Sequence, residues 1–184
     1  IFDINHNMKL VEKIINIFNK IFPTYTALNN LDKKMEKYLN YKNGFFIEMG
    51  ANDGLNQSNT FFLEKKYKWK GILVEPSEKF YPLQKNRSKT NFFSNDACCS
   101  FANKNKLIKF SYNNLMTLAL NLNTDINIKT HLKNAKKHNK KNYIFSKKGV
   151  PLNDLLIKNK APKIIDFFSL DVEGAEFEVL NGIN

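Results

Sequence analysis

Phe46-Ile47-Glu48-Met49-Gly50-Ala51-Asn52-Asp53-Gly54 (FIEMGANDG) runs from apolar residues into a knot of Gly, Asn and Asp. An apolar run that breaks on glycine reads as a buried strand ending in a tight turn. Glycines let backbone approach a ligand closely, and a following helix offers its free N–H groups at the same place. Outward from this turn the same unit repeats. FFIEM (45–49) is a strand, and QSNTFFLEKKY (57–67) is a helix with Phe61, Phe62 and Leu63 facing inward. GILVE (71–75) is a second strand followed by a helix over 77–87, and NFFSN (91–95) is a third. Near the end, IIDFFSL (164–170) is a strongly apolar strand, and DVEGAEFEVLNGIN (171–184) turns into a helix. Repeated strand-then-helix spacing predicts an α/β fold built on a parallel sheet.

The flanks and the middle are less regular. MKLVEKIINIFNKI (8–21) places Leu10, Ile14, Phe18 and Ile21 at helical spacing, and Leu31–Tyr41 reads as a second short helix. Residues 1–43 form an N-terminal helical segment, and 44–184 the main domain with a Lys/Asn-rich insertion at about 101–148. Within that insertion KLIKFSY (106–112) and NYIFS (142–146) look like strands, and 121–141 is a mobile or helical segment. Pro151 suits the first turn of a further helix.

Composition narrows the function classes. At 184 residues the chain can bury one sizeable core, and 42% apolar content with 13% aromatics excludes disorder as the default. A formal charge of +12 invites a nucleic-acid or acidic partner. Lys, Asn, Ile and Phe are abundant throughout, however, so a solvated basic surface is the favoured reading and nucleic acid is disfavoured. Cys98 and Cys99 are adjacent, a spacing unsuited to an ordinary disulfide, and read as small buried residues in a reducing compartment. No apolar run reaches the roughly 18 residues of a membrane span, and no signal-peptide pattern opens the chain. The expected location is cytoplasmic. His6, His131 and His138 lie in polar segments and read as surface residues.

In an open parallel sheet, ligands sit at the carboxyl ends of the strands, so those ends identify the ligand. A nicotinamide site wants G-x-G-x-x-G after the first strand, but Asn52 and Leu55 stand at the second and third glycine positions. A P-loop is excluded because no Gly-Lys-Ser/Thr follows. Glu75 ends the second strand, where a carboxylate accepts from two ribose hydroxyls. Asn95-Asp96-Ala97 ends the third, within reach of an adenine amino group, and Glu48 could meet an ammonium group. A Gly-rich turn, a ribose carboxylate and an adenine-side acid together describe S-adenosylmethionine better than NAD.

FIEMGANDG (46–54), LNQSNTFFLEK (55–65), WKGILVEPSEKFYPL (69–83), NDACCS (95–100) and IDFFSLDVEGAEFEVLNGI (165–183) resemble the motifs of FkbM-type methyltransferases. The resemblance covers 44–100 and 149–184. It implies a Rossmann-like class I methyltransferase sheet in spatial order 3-2-1-4 and S-adenosylmethionine as cofactor. It also implies O-methyl transfer to a sugar, glycan or other small hydroxylated acceptor. Cofactor contacts are implied at Glu48, Gly50, Asn52, Gly54, Glu75, Asp96 and Ala97. Ser58-Asn59-Thr60 also looks family-like, with helix capping as its simplest role.

Methylating an alcohol needs the oxygen deprotonated and aligned, so carboxylates at the pocket mouth are the candidates for chemistry. Asp171 and Glu173 are those candidates, while Glu176 suits a helix N-terminus. No metal is predicted. The rival reading is a non-catalytic domain that binds nucleic acid or an acidic partner through its basic surface. Enzymes of the resembled architecture continue past the D-x-E-G-A-E helix with further strands. The chain therefore reads as C-terminally truncated, with 164–170 an apolar edge prone to self-association.

Overall fold

A computed structural model describes residues 24–139 and 141–184. The helix expected over 8–21 lies outside them. The first of two sheets contains β1 (Phe45–Met49), β2 (Lys70–Val74), β3 (Phe92–Ser94) and β8 (Phe167–Leu170). Its order is β3-β2-β1-β8, and every pairing is parallel. The neighbour order matches the sequence expectation, with the last strand beside the first. Helices α2 (Phe61–Tyr67) and α3 (Phe80–Asn86) make the crossovers between its first three strands.

Period-2 alternation in β1 divides the core. Phe45, Ile47 and Met49 face one side, where Ile72, Val74, Leu152, Leu155 and Val179 cover them. Phe46 faces the other, packed with Phe62, Leu63, Trp69, Leu73 and Leu83 from β2 and the two crossovers. Glu48 shares Phe46's side, which decides its partners below.

The second sheet contains β4 (Ala97–Cys99), β5 (Leu107–Tyr112), β6 (Leu118–Ala119) and β7 (Tyr143–Pro151) in order β4-β7-β5-β6. β4 runs parallel to β7, and the other pairings are antiparallel. Stacked rings fasten β5 to β7, with Phe110–Phe145 centroids at 5.1 Å and Tyr112–Tyr143 at 4.7 Å. β4 was not foreseen: three residues give no periodicity, and their partner Gly149–Pro151 lies about fifty residues downstream. The expected strand 142–146 extends to Pro151, and 121–141 contributes helix α4 (Ile128–His138). Helices α1 (Leu31–Met35), α5 (Leu152–Lys158) and α6 (Glu176–Leu180) complete the chain. Among the described residues no helix is long and apolar enough to cross a membrane.

Several expected elements are shorter, for local reasons. The helix expected over 57–67 starts at Phe61, because Gln57 takes a left-handed φ of 59°. Ser58 Oγ then accepts from the Thr60 and Phe61 N–H groups. The helix expected over 77–87 starts at Phe80, after a turn in which Glu75 accepts from the Ser77 N–H. The helix expected over 31–41 is α-helical only to Met35. The strand expected over 164–170 pairs from Phe167, while Asp166 accepts from the Phe45 N–H and the Tyr41 hydroxyl and Ile164 is exposed.

Candidate functional site

A cavity of about 560 Å³ opens at the carboxyl ends of β1, β2 and β8, roofed by the 110–122 segment of the second sheet. The turn after β1 shapes one end of it. Gly50 has φ 73°, and a Cβ there would lie 2.0 Å from the Asp171 carbonyl oxygen. Only glycine lets the ends of β1 and β8 come this close. Asn52, at φ 46°, donates its backbone N–H to Glu75 Oε2 at 2.8 Å. Asn52 lines the cavity, and its Oδ1 is a buried acceptor with no hydrogen-bond partner among the described residues. Glu75 Oε1 accepts from the Ser77 N–H at 2.8 Å. Burial pushes the Glu75 carboxyl above the usual carboxylate range, opposed by those N–H donors.

Asp171 and Glu173 line the other end with Val172. Asp171 is exposed, yet partial desolvation by its neighbours raises its carboxyl, and the charges of Glu176 and Glu48 raise it further. Burial also raises Glu173, opposed by His131 and reinforced by Asp171 and Glu176. Glu176 Oε1 accepts from the Val172 N–H at 3.0 Å and sits 3.4 Å from the Gly174 N–H, so it caps the turn. Cys98 also lines the cavity, but burial holds its thiol up and protonated.

Glu48, Gly50, Asn52, Glu75, Ala97, Asp171 and Glu173 thus meet around one cavity, whereas Gly54 and Asp96 do not line it. Gly54, at φ 74°, makes room instead for Leu83 and Arg87, which a Cβ would meet at 2.5 and 2.7 Å. The Asp96 carboxylate accepts from the Ser94 hydroxyl at 2.9 Å. Glu48 reaches the wall, but the carboxylate expected to meet an ammonium group is bonded within the protein. It accepts from the Ser58 and Thr60 hydroxyls, the Asn59 N–H, and Arg87 Nη1 at 3.1 Å.

The family model for the methyltransferase FkbM domain matches residues 48–184. The chain belongs to that family. No curated protein and no solved structure matches it.

Sequence reasoning missed the buried cation of this FkbM domain. Arg87 binds Glu64 through Nε at 2.8 Å, Glu48 and the Gly54 carbonyl through Nη1, and the Thr60 hydroxyl through Nη2 at 2.9 Å. It lies against the faces of Phe46 and Phe61. Arg87 therefore ties together the turn after β1, the start of α2 and the end of α3. Its only sequence signal was an Arg at the end of an expected helix, amid many surface lysines. Ser58 and Thr60 do more than cap, since both hydroxyls donate to Glu48. His131, expected at the surface, is instead half-buried and faces Glu173. The insertion that carries it is part of the site: Phe110, Asn114, Met116 and Leu122 line the cavity.

Proposed function

We propose that this methyltransferase domain uses S-adenosylmethionine to methylate a hydroxyl of a sugar, glycan or other small hydroxylated acceptor. The first sheet then serves as the Rossmann-like cofactor platform. The observation that carries the reading is one cavity with a buried carboxylate and a buried asparagine at one end and two carboxylates of raised pKa at the other. The residues fit the cofactor. Glu75 has lone pairs left for two ribose hydroxyls, Asn52 lines the same cavity, and Gly50 and Ala97 leave room there for a ligand. Bound there, S-adenosylmethionine supplies a methyl group on a sulfonium sulfur, an electrophile for an oxygen lone pair.

The chain's own residues do the rest. Asp171 would take the hydroxyl proton of the acceptor, and its raised pKa brings it nearer to the task at neutral pH. Glu173 orients the acceptor by accepting from a neighbouring hydroxyl. Phe110, Leu122 and Val172 keep water away from the reacting oxygen. Arg87 and Glu48 hold the turn after β1 in shape. Calorimetry with S-adenosylhomocysteine tests the reading, because a purely basic binding surface predicts no heat of binding. Mass spectrometry of products from a panel of glycans and small alcohols then identifies the acceptor; no methylated product across that panel counts against the acceptor class.

A further inference from the structure

We propose that His131 is a positioning residue for the acceptor end of the pocket: its ring shares a proton on Nδ1 with the Glu173 carboxylate and holds it in place, leaving Asp171 to take the substrate proton. The inference rests on the methyl-transfer reading above and assigns within it the roles of the two carboxylates. The geometry is specific. His131 Nε2 lies 3.0 Å from the Met116 carbonyl oxygen, so that nitrogen donates. The contact turns Nδ1 toward Glu173 Oε2, at 3.7 Å. Met116 and Glu173 both line the pocket, so one ring bridges its roof and its catalytic wall.

Neighbouring contacts keep the two sides in register. The Asp125 N–H donates to the Gly174 carbonyl at 3.1 Å, and a Cβ on Gly174 would meet Ile126 and Asp125 at 2.8–2.9 Å. Glu173 has φ 55°, a conformation that a non-glycine residue keeps when its surroundings hold it. The charged groups facing this point are Glu173, Asp171 and Glu176 from the turn and Asp125 from the connection, all acidic. Met116 contributes only a carbonyl. His131 is the one basic side chain that pairs with Glu173 among the described residues. Two carboxyls sharing a site push each other toward the neutral form, and a cation on one of them separates their roles.

The test is carbon-13 NMR titration of the Glu173 carboxyl in the wild-type chain and in His131→Gln, each checked for S-adenosylhomocysteine binding. His131→Gln should move the Glu173 titration upward by about half to one pH unit and leave S-adenosylhomocysteine affinity unchanged within about twofold. His131→Lys, which restores a cation, should bring it back toward the wild-type value. His131→Asn is the neutral variant to use if His131→Gln does not fold. A Glu173 titration that does not move in a variant that still binds S-adenosylhomocysteine overturns the role of His131 alone. Failure of the wild-type chain to bind S-adenosylhomocysteine overturns the reading beneath it.

Discussion

Glu75 is buried and Asp171 is exposed at the pocket mouth; both have raised pKa, yet they should respond differently to substitution. On the proposed reading Glu75 holds the cofactor's ribose, so Glu75→Ala should weaken S-adenosylhomocysteine binding by about 1–3 kcal/mol, the scale of leaving buried hydrogen-bonding groups unpaired. Asp171→Asn should instead lower turnover by roughly 10²–10⁴-fold, the range of a general base, with cofactor affinity nearly intact. Normal turnover by Asp171→Asn contradicts the assignment. The pH dependence of Glu75 has a fixed sign. Its folded pKa lies above the unfolded value of about 4.3, so the folded state holds the extra proton between the two. Stability of the ligand-free protein should therefore fall as pH rises through that window. Cofactor affinity should rise through the same window, because ribose hydroxyls donate to the ionised form. Calorimetry across pH on wild type and Glu75→Gln checks both, the variant losing the dependence.

Among the elements, the end of β1 and the edge at β8 carry most of the consequences. Gly50→Ala must place a Cβ against the Asp171 carbonyl at a positive φ. The left-handed conformation alone costs about 1–2 kcal/mol, and the clash adds to it. Thermal unfolding should show that loss, together with weaker S-adenosylhomocysteine binding. β8 pairs with β1 and with no other described strand, which leaves its second edge open, and Ile164 just before it is exposed. An open edge invites pairing with another chain. Sedimentation velocity on residues 1–184 should show concentration-dependent association, and a monodisperse monomer throughout the series would contradict it.

At the scale of the molecule, one buried cation joins what the sheet and two helices hold separately. Arg87 has no exposed side-chain surface and pairs with Glu48 and Glu64. Replacing one member of a buried ion pair leaves the other charges uncompensated and costs about 3–5 kcal/mol. Against a typical total of about 5–15 kcal/mol, that is a large fraction. Urea unfolding of Arg87→Met should show the loss with the whole domain affected, because the segments it joins pack together on the Phe46 side of the first sheet. A change below about 1 kcal/mol would mean that the network is dispensable.

The last strand's place beside the first was implied by the family resemblance, whereas the units themselves were determined by sequence alone: apolar runs ending on Gly50, Glu75 and Asp171, and crossovers of helical spacing. These are local signals, because strand faces alternate every second residue and turns demand particular residues. The same alternation put Glu48 opposite Met49's side, but it could not say what waited there. Arg87 lies 39 residues further on, and only the packing of α2 and α3 against β1 delivers its guanidinium to Glu48. Packing likewise turned the Lys/Asn-rich segment from an insertion into a pocket wall and carried His131 to Glu173. Its pairings are antiparallel and long-range, and its composition is dominated by exposed Lys and Asn that carry no periodic signal. Local pattern decides which face a residue takes, whereas its charged partner across that face is decided by tertiary structure.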